Sequence, residues 1–95
     1  MIEVGNEVAP EADFGIRIHG NSMEPRYISR QIVWVQQTEE LESGEIGIFY
    51  LDGNAYCKKL DCNRAGTFLV SLNQEYDPIQ ITKNNSFKIF GKVVC

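Results

Sequence analysis

The chain has 95 residues and a mass near 10.8 kDa, the size of one domain. Nine basic and 13 acidic residues give a net charge of −4, and 43% hydrophobic with 23% charged residues is the balance of a globular fold, not of a disordered chain. No apolar run approaches the roughly 20 residues of a membrane span. Met1 to Pro10 carries neither a basic stretch nor an apolar one, so no secretory leader is expected. A pI near 4.9 argues against this segment gripping a phosphate backbone by itself.

Met1 to Ala12 is acidic, lacks periodicity and contains Pro10. Residues 1–12 therefore read as an arm or linker remnant, and residues 13–95 as the folded domain. From Phe14 onward the pattern is β nearly throughout. Phe14, Ile16 and Ile18 alternate with Gly15, Arg17 and His19, which predicts a first strand with one apolar face. A tight turn, Gly20-Asn21-Ser22-Met23-Glu24-Pro25, follows. Met23 to Tyr27 can close one helical turn, but Pro25 forbids a long helix. Ile32-Val33-Trp34-Val35 is apolar at every position, which predicts a strand buried on both sides. Thr38 to Leu41 can form another turn. Ile46 to Leu51 and Ala55 to Leu60 flank Asp52-Gly53-Asn54, read as a three-residue hairpin link. Thr67 to Leu72 follows the turn Asn63-Arg64-Ala65-Gly66. Ile79 to Thr82 follows Asp77-Pro78, and Phe87 to Val94 closes the chain. The expected fold is mainly β: about seven short strands in a small twisted sandwich or partly closed barrel, with little helix.

Several chemistries lack the residues they need. The three cysteines, Cys57, Cys62 and Cys95, are odd in number and not spaced CxxC, so they read as reduced thiols of a cytoplasmic protein. His19 is the only histidine, too few for a zinc site or a Ser-His-Asp triad, and reads as a polar position at a strand end. Carboxylates are scattered singly apart from Glu39-Glu40, so no calcium loop is present. No metal and no cofactor is expected.

Two places carry chemistry. In Gly20-Asn21-Ser22-Met23-Glu24-Pro25 a serine stands where a strand gives way to a tight turn. Such a site exposes a hydroxyl and leaves backbone N–H groups free, as an oxyanion hole requires; the plain alternative is that Ser22 only caps the Met23–Tyr27 turn. In Ala55-Tyr56-Cys57-Lys58-Lys59-Leu60, strand alternation puts Tyr56, Lys58 and Leu60 on one face and Cys57, Lys59 and Asp61 on the other. Lys58 has large apolar neighbours, whereas Lys59 has a thiol and a carboxylate. Alternation therefore selects Lys58 as the lysine drawn into an apolar site; the plain alternative is two surface lysines on an edge strand. Together the two places describe a Ser-Lys dyad. A serine needs a base to take its proton during attack. A solvated lysine, with a pKa near 10.4, is only about 0.04% neutral at pH 7. Burial can lower that pKa by about 3 units, at a cost of roughly 4 kcal/mol, so the base needs an apolar lining and no adjacent carboxylate.

These residues resemble the self-cleaving repressor peptidases, a family that includes LexA, the UmuD mutagenesis protein and the C-terminal domains of lambdoid and Gram-positive phage repressors. Gly20 to Pro25 is similar to the family's Gly-Asp/Asn-Ser-Met motif. Ala55 to Leu60 is similar to its lysine strand, Glu45 to Phe49 to the strand before it, and Phe87 to Val94 to its closing strand. The likeness covers Ala12 to Val94. It implies Ser22 as nucleophile, Lys58 as general base and the backbone amides of Asn21 and Ser22 as oxyanion donors. It implies hydrolysis of one peptide bond, usually Ala-Gly or Cys-Gly, in the protein's own interdomain linker. It also implies homodimer contacts through this domain, and cleavage stimulated by the RecA–single-stranded DNA filament or triggered by an antirepressor.

The sequence departs from the pattern at Ser29-Arg30-Gln31, where the family commonly has Gly-Asp. No Ala-Gly or Cys-Gly precedes Ser22, and Ala65-Gly66 reads as a hairpin turn. The chain is thus expected to be the C-terminal part of a phage or prophage transcriptional repressor whose DNA-binding domain and scissile bond lie upstream. A non-catalytic oligomerisation module and a UmuD-like SOS mutagenesis protein are the alternatives. The apolar strand Phe87 to Val94 is the candidate dimer surface.

Overall fold

The computed structural model describes residues 12–94; residues 1–11 and residue 95 lie outside it, and with them the expected N-terminal arm and Cys95. Seven strands follow in chain order: β1 (Phe14–Arg17), β2 (Ile32–Gln37), β3 (Ile46–Leu51), β4 (Asn54–Asn63), β5 (Gly66–Val70), β6 (Ile79–Ile81) and β7 (Phe87–Val93). They form one antiparallel sheet in the order β1-β2-β7-β3-β4-β5-β6, and the described residues contain no α-helix. The all-β expectation holds. The strands are bonded into a single sheet that curls without closing into a barrel. The curl brings β1, at one edge, over β3 and β4, so that Ile16 and Ile18 line the same cleft as Ile48 and Tyr56.

The turns follow their local chemistry. Asp52 (φ 50°) and Gly53 (φ 89°) form a two-residue turn with Leu51 opposite Asn54. Positive φ at both central positions matches the twist of the flanking strands, so the link is one residue shorter than the sequence suggested. Asn63 likewise pairs with Gly66 across Arg64-Ala65.

The core lies on both faces of the sheet. Ile48 packs with Ile18, Met23, Tyr27, Val33, Val35 and Val93. Its neighbours on the other face of β3, Phe49 and Leu51, pack with Leu60 and Leu69. The burial expected of β2 is corrected: Val33 and Val35 are fully buried, but Ile32 is exposed and Trp34 half-buried. Trp34 lies over Gly15 of the edge strand, where a Cβ would come within 2.8 Å of the indole ring. An edge strand with a glycine can shelter that ring only partly.

Close backbone approach is tightest at the centre. A Cβ on Gly47 would stand 2.6 Å from the Gly91 carbonyl oxygen, backbone that cannot swing away, and would also collide with Leu41. Overpacking of this kind is destabilising by about 1–3 kcal/mol. Gly47→Ala is expected to lower the denaturation midpoint accordingly; an unchanged midpoint would show that β3 and β7 have slack at this point.

Candidate active site

The serine turn begins where β1 ends. Gly20 takes a left-handed conformation (φ 85°) that L side chains rarely adopt. The Tyr27 amide donates to the Met23 carbonyl at 2.9 Å and the Glu24 amide to the Asn21 carbonyl at 3.2 Å. These two amides are thus met by backbone carbonyls, and no amide of the turn is met by the Ser22 hydroxyl. Met23 and Tyr27, four residues apart, are both buried and anchor the turn in the core.

A second segment holds the turn from outside. The Asn73 amide donates to the Ser22 carbonyl at 2.9 Å, and Asn73 Nδ2 donates to the Asn21 carbonyl at 3.0 Å. The Tyr76 hydroxyl donates to Asn21 Oδ1. The carbonyls of Asn21 and Ser22 are therefore engaged, while their amides have no acceptor among the described residues. Two adjacent free N–H groups beside a hydroxyl can bind a developing oxyanion.

The lysine strand divides as alternation predicts. Tyr56 and Leu60 pack with one core cluster and Cys57 with the other. Lys58 is 6% exposed, while Lys59 is half-buried and lies outside the cleft described below. Lys58 Nζ donates to Ser71 Oγ at 2.6 Å and stands 5.8 Å from the Tyr56 ring centre and 5.5 Å from that of Tyr76. It has no ion-pair partner among the described residues. Desolvation holds its pKa below the ordinary lysine value, opposed in small part by the neighbouring Cys57. The same burial pushes the Cys57 thiol up to about 11, so it stays protonated at neutral pH and is a poor nucleophile.

Ser22 and Lys58 both line two adjoining concavities that form one cleft. The inner part, about 260 Å³, is walled by apolar side chains that include Ile16, Ile18, Met23 and Ile48. The outer part, about 380 Å³, is lined by Ser71, Tyr76, Asp77 and Ile79 among others. His19, Ser22, Ala55, Tyr56 and Lys58 belong to both parts and form the waist. The structure therefore brings Ser22, Lys58 and the Asn21 and Ser22 amides to one place, and the amine's hydrogen bond there goes to Ser71. His19 is exposed just beyond β1, at the strand-end position expected of it. Ser71, Asn73 and Tyr76 were not singled out in the sequence. For Ser71 a signal existed: pairing Asn63 with Gly66 sets Lys59 opposite Val70, and the next register position puts Ser71 opposite Lys58.

The Peptidase S24-like family matches residues 1–94 of the chain. The chain belongs to this family. The LexA repressor of Carboxydothermus hydrogenoformans is 33% identical over 97 residues, covering 98% of this chain and 47% of that protein. The LexA repressor of Aliivibrio fischeri is 29% identical over 87 residues (90% and 42%), and that of Vibrio cholerae 27% over 73 residues (76% and 35%). The chain thus spans less than half the length of these LexA repressors. No helix among the described residues is long and apolar enough to cross a membrane.

The buried lysine has a consequence for stability. Its folded-state pKa lies below the unfolded value, so the folded state binds fewer protons between the two. The penalty is complete below the folded pKa and disappears as pH rises toward 10.5. Relative to Lys58→Met, which carries no such group, the wild type is expected to gain stability as pH rises from 7 to 10, read by denaturant unfolding at each pH. A gap constant across that range would place the amine in water.

Proposed function

We propose that this chain is the self-cleavage and dimerisation domain of a phage or prophage transcriptional repressor, with Ser22 as nucleophile and Lys58 as general base. The observation that carries this reading is a desolvated lysine without a carboxylate partner, at the waist of a cleft that it shares with a serine whose neighbouring amides are free.

Neutral Lys58 takes the proton of the Ser22 hydroxyl as Oγ attacks a peptide carbonyl. The oxyanion is met by the amides of Asn21 and Ser22. The lysine, now an ammonium, gives its proton to the departing amine and leaves an ester on Ser22. Water then attacks the ester, losing a proton to Lys58; as the ester C–O bond breaks, Lys58 returns that proton to Ser22 Oγ and the acid product departs. The apolar inner cleft accepts side chains of the segment being cut and excludes water around the amine. The substrate is the protein's own linker, upstream of this domain. Its cleavage separates the domain from a DNA-binding domain and so weakens operator binding by the homodimer. The setting is the cytoplasm, and the trigger is a RecA filament or an antirepressor.

The test is self-cleavage of a parent chain that retains its linker, followed by gel or mass spectrometry. Ser22→Ala and Lys58→Ala are each expected to slow cleavage by at least about 10³-fold without loss of the folded dimer, while Lys59→Ala has little effect. The wild-type rate should climb about tenfold per pH unit until the amine is neutral and then level off. Cleavage that survives Lys58→Ala, or a rate flat from pH 6 to pH 10, would remove Lys58 as the base; a wild-type parent chain that never cleaves would reduce the domain to an oligomerisation module.

A further inference from the structure

We infer that Ser71 is a positioning residue for Lys58: its hydroxyl accepts a hydrogen bond from the amine and so directs the nitrogen lone pair across the cleft toward Ser22. The inference rests on the Ser22–Lys58 reading above and adds to it a residue on a different strand.

Lys58 and Ser71 are the two buried polar side chains among the described residues, at 6% and 7% exposure, and they are each other's hydrogen-bond partners at 2.6 Å. A lysine tip on a four-carbon stem carries substantial rotational freedom, and a base is useful only when its lone pair faces the proton it takes. A neutral amine has two N–H bonds and one lone pair. Giving one N–H to a fixed acceptor removes most of the tip's freedom and leaves the lone pair for the nucleophile. The other neighbours do not provide this direction. The Tyr56 and Tyr76 ring centres stand 5.8 and 5.5 Å from Nζ without a directional bond, and Cys57, packed against the core cluster that includes Ile18, Met23 and Ile48, gives the amine no hydrogen bond.

The Ser71 hydroxyl is itself well fixed. It occupies the register position opposite Lys58, one residue beyond the end of β5. Two residues later Asn73 holds the carbonyls of Asn21 and Ser22. One short stretch, Ser71 to Asn73, therefore grips the base with its first residue and the nucleophile turn with its last, and fixes the spacing between them.

The bond also bears on protonation. An acceptor beside the amine favours the ammonium, so its removal lowers the pH at which the base becomes neutral. The other ionisable groups that line the cleft with Lys58 are Tyr56 and Cys57 on β4, Tyr50 on β3, Arg17 on β1, His19 after it, and Tyr76 and Asp77 between β5 and β6. None of them changes in a Ser71 variant.

The experiment uses this chain alone with an alkyl fluorophosphonate, which phosphonylates an activated serine with loss of fluoride. Labelling rates are read by mass spectrometry between pH 6 and pH 10. Trypsin separates the two serines, placing Ser22 in the peptide Ile18–Arg26 and Ser71 in the peptide Ala65–Lys83. Wild type is expected to label at Ser22. Ser71→Ala is expected to lower the plateau rate by about 10–100-fold and to move the midpoint to lower pH, while Ser71→Thr, which keeps the hydroxyl, restores most of the rate and the midpoint. Thermal unfolding is followed in parallel. Should the extra methyl unfold the Thr variant, Ser71→Cys, a weaker acceptor of similar size, is expected to fall between Ala and wild type. A Ser71→Ala variant with wild-type plateau and midpoint overturns the inference and leaves the Ser22–Lys58 reading standing. A loss without a midpoint shift, unrelieved by either hydroxyl or thiol, shows a merely structural residue and also overturns it. Label on Ser71 itself makes that serine the nucleophile and overturns it as well. Wild type that fails to label at all, or labels equally as Lys58→Ala, overturns the dyad and this inference together.

Discussion

The site depends on one interaction, an amine taken out of water and met by a single hydroxyl. A buried ammonium without a counter-ion is expensive, and proteins relieve that expense by pairing the charge or by giving up the proton. Lys58 has aromatic rings and the Ser71 hydroxyl around it, and among the described residues no carboxylate stands within ion-pair distance of it. A carboxylate at the position of Ser71 would make the lysine more comfortable and useless as a base. A hydroxyl satisfies one N–H of the neutral amine while offering no full charge to hold the extra proton. Desolvation thus costs stability and lowers the affinity of the amine for its proton, a perturbation of the kind that clusters at functional sites.

Much of this was legible in the sequence because it is local. Strand alternation separated Lys58 from Lys59, and a serine at a strand end before Pro25 marked the turn. Each reading needs only a few consecutive residues. The β3–β4 hairpin was legible for the same reason, with the loop misjudged by one residue because Asn54 pairs with Leu51 and belongs to the strand. Apolar composition misled at β2, where four apolar residues in a row suggested two buried faces. Burial on the second face depends on what lies across it, and near the edge strand that is Gly15 under Trp34. No four-residue pattern contains that fact.

The bracket around the serine turn was beyond local reading. Asn73 and Tyr76 lie 52 and 55 residues from Asn21 along the chain, and their contacts exist only once the sheet has curled. Ser71 stands between these extremes. Its partner is only 13 residues away, across a hairpin whose turn residues are plain. The register of that hairpin determines which residue faces Lys58, so it could have been read from sequence by counting outward from Arg64-Ala65.

The strand order explains how two distant halves make one site. β1 and β2 flank the Ser22 turn, while β4 carries Lys58 and the residue after β5 is its hydroxyl partner, Ser71. Only β7 is bonded to both halves: Val93, Lys92 and Gly91 pair with β2 on one side, and Lys92, Gly91, Ile89, Lys88 and Phe87 pair with β3 on the other. A Cβ at Gly91 would collide with Val35 and stand 2.9 Å from the Gln36 carbonyl oxygen, so close contact on this side needs a glycine in the strand that joins the halves. Between Ile48 and Phe49 the register of β3 against β7 shifts. The extra residue, Phe90, meets Phe14 of β1 at a tilt and Tyr50 of β3 edge-on, each with ring centres 5.3 Å apart. Irregularities of this kind bend a strand and increase its local twist. Here the irregular strand joins the two halves, and its displaced ring touches both. An irregularity at this point in the joining strand is of the kind that gives a sheet the added twist needed to lay Ile16 and Ile18 in one cleft with Tyr56 and Lys58.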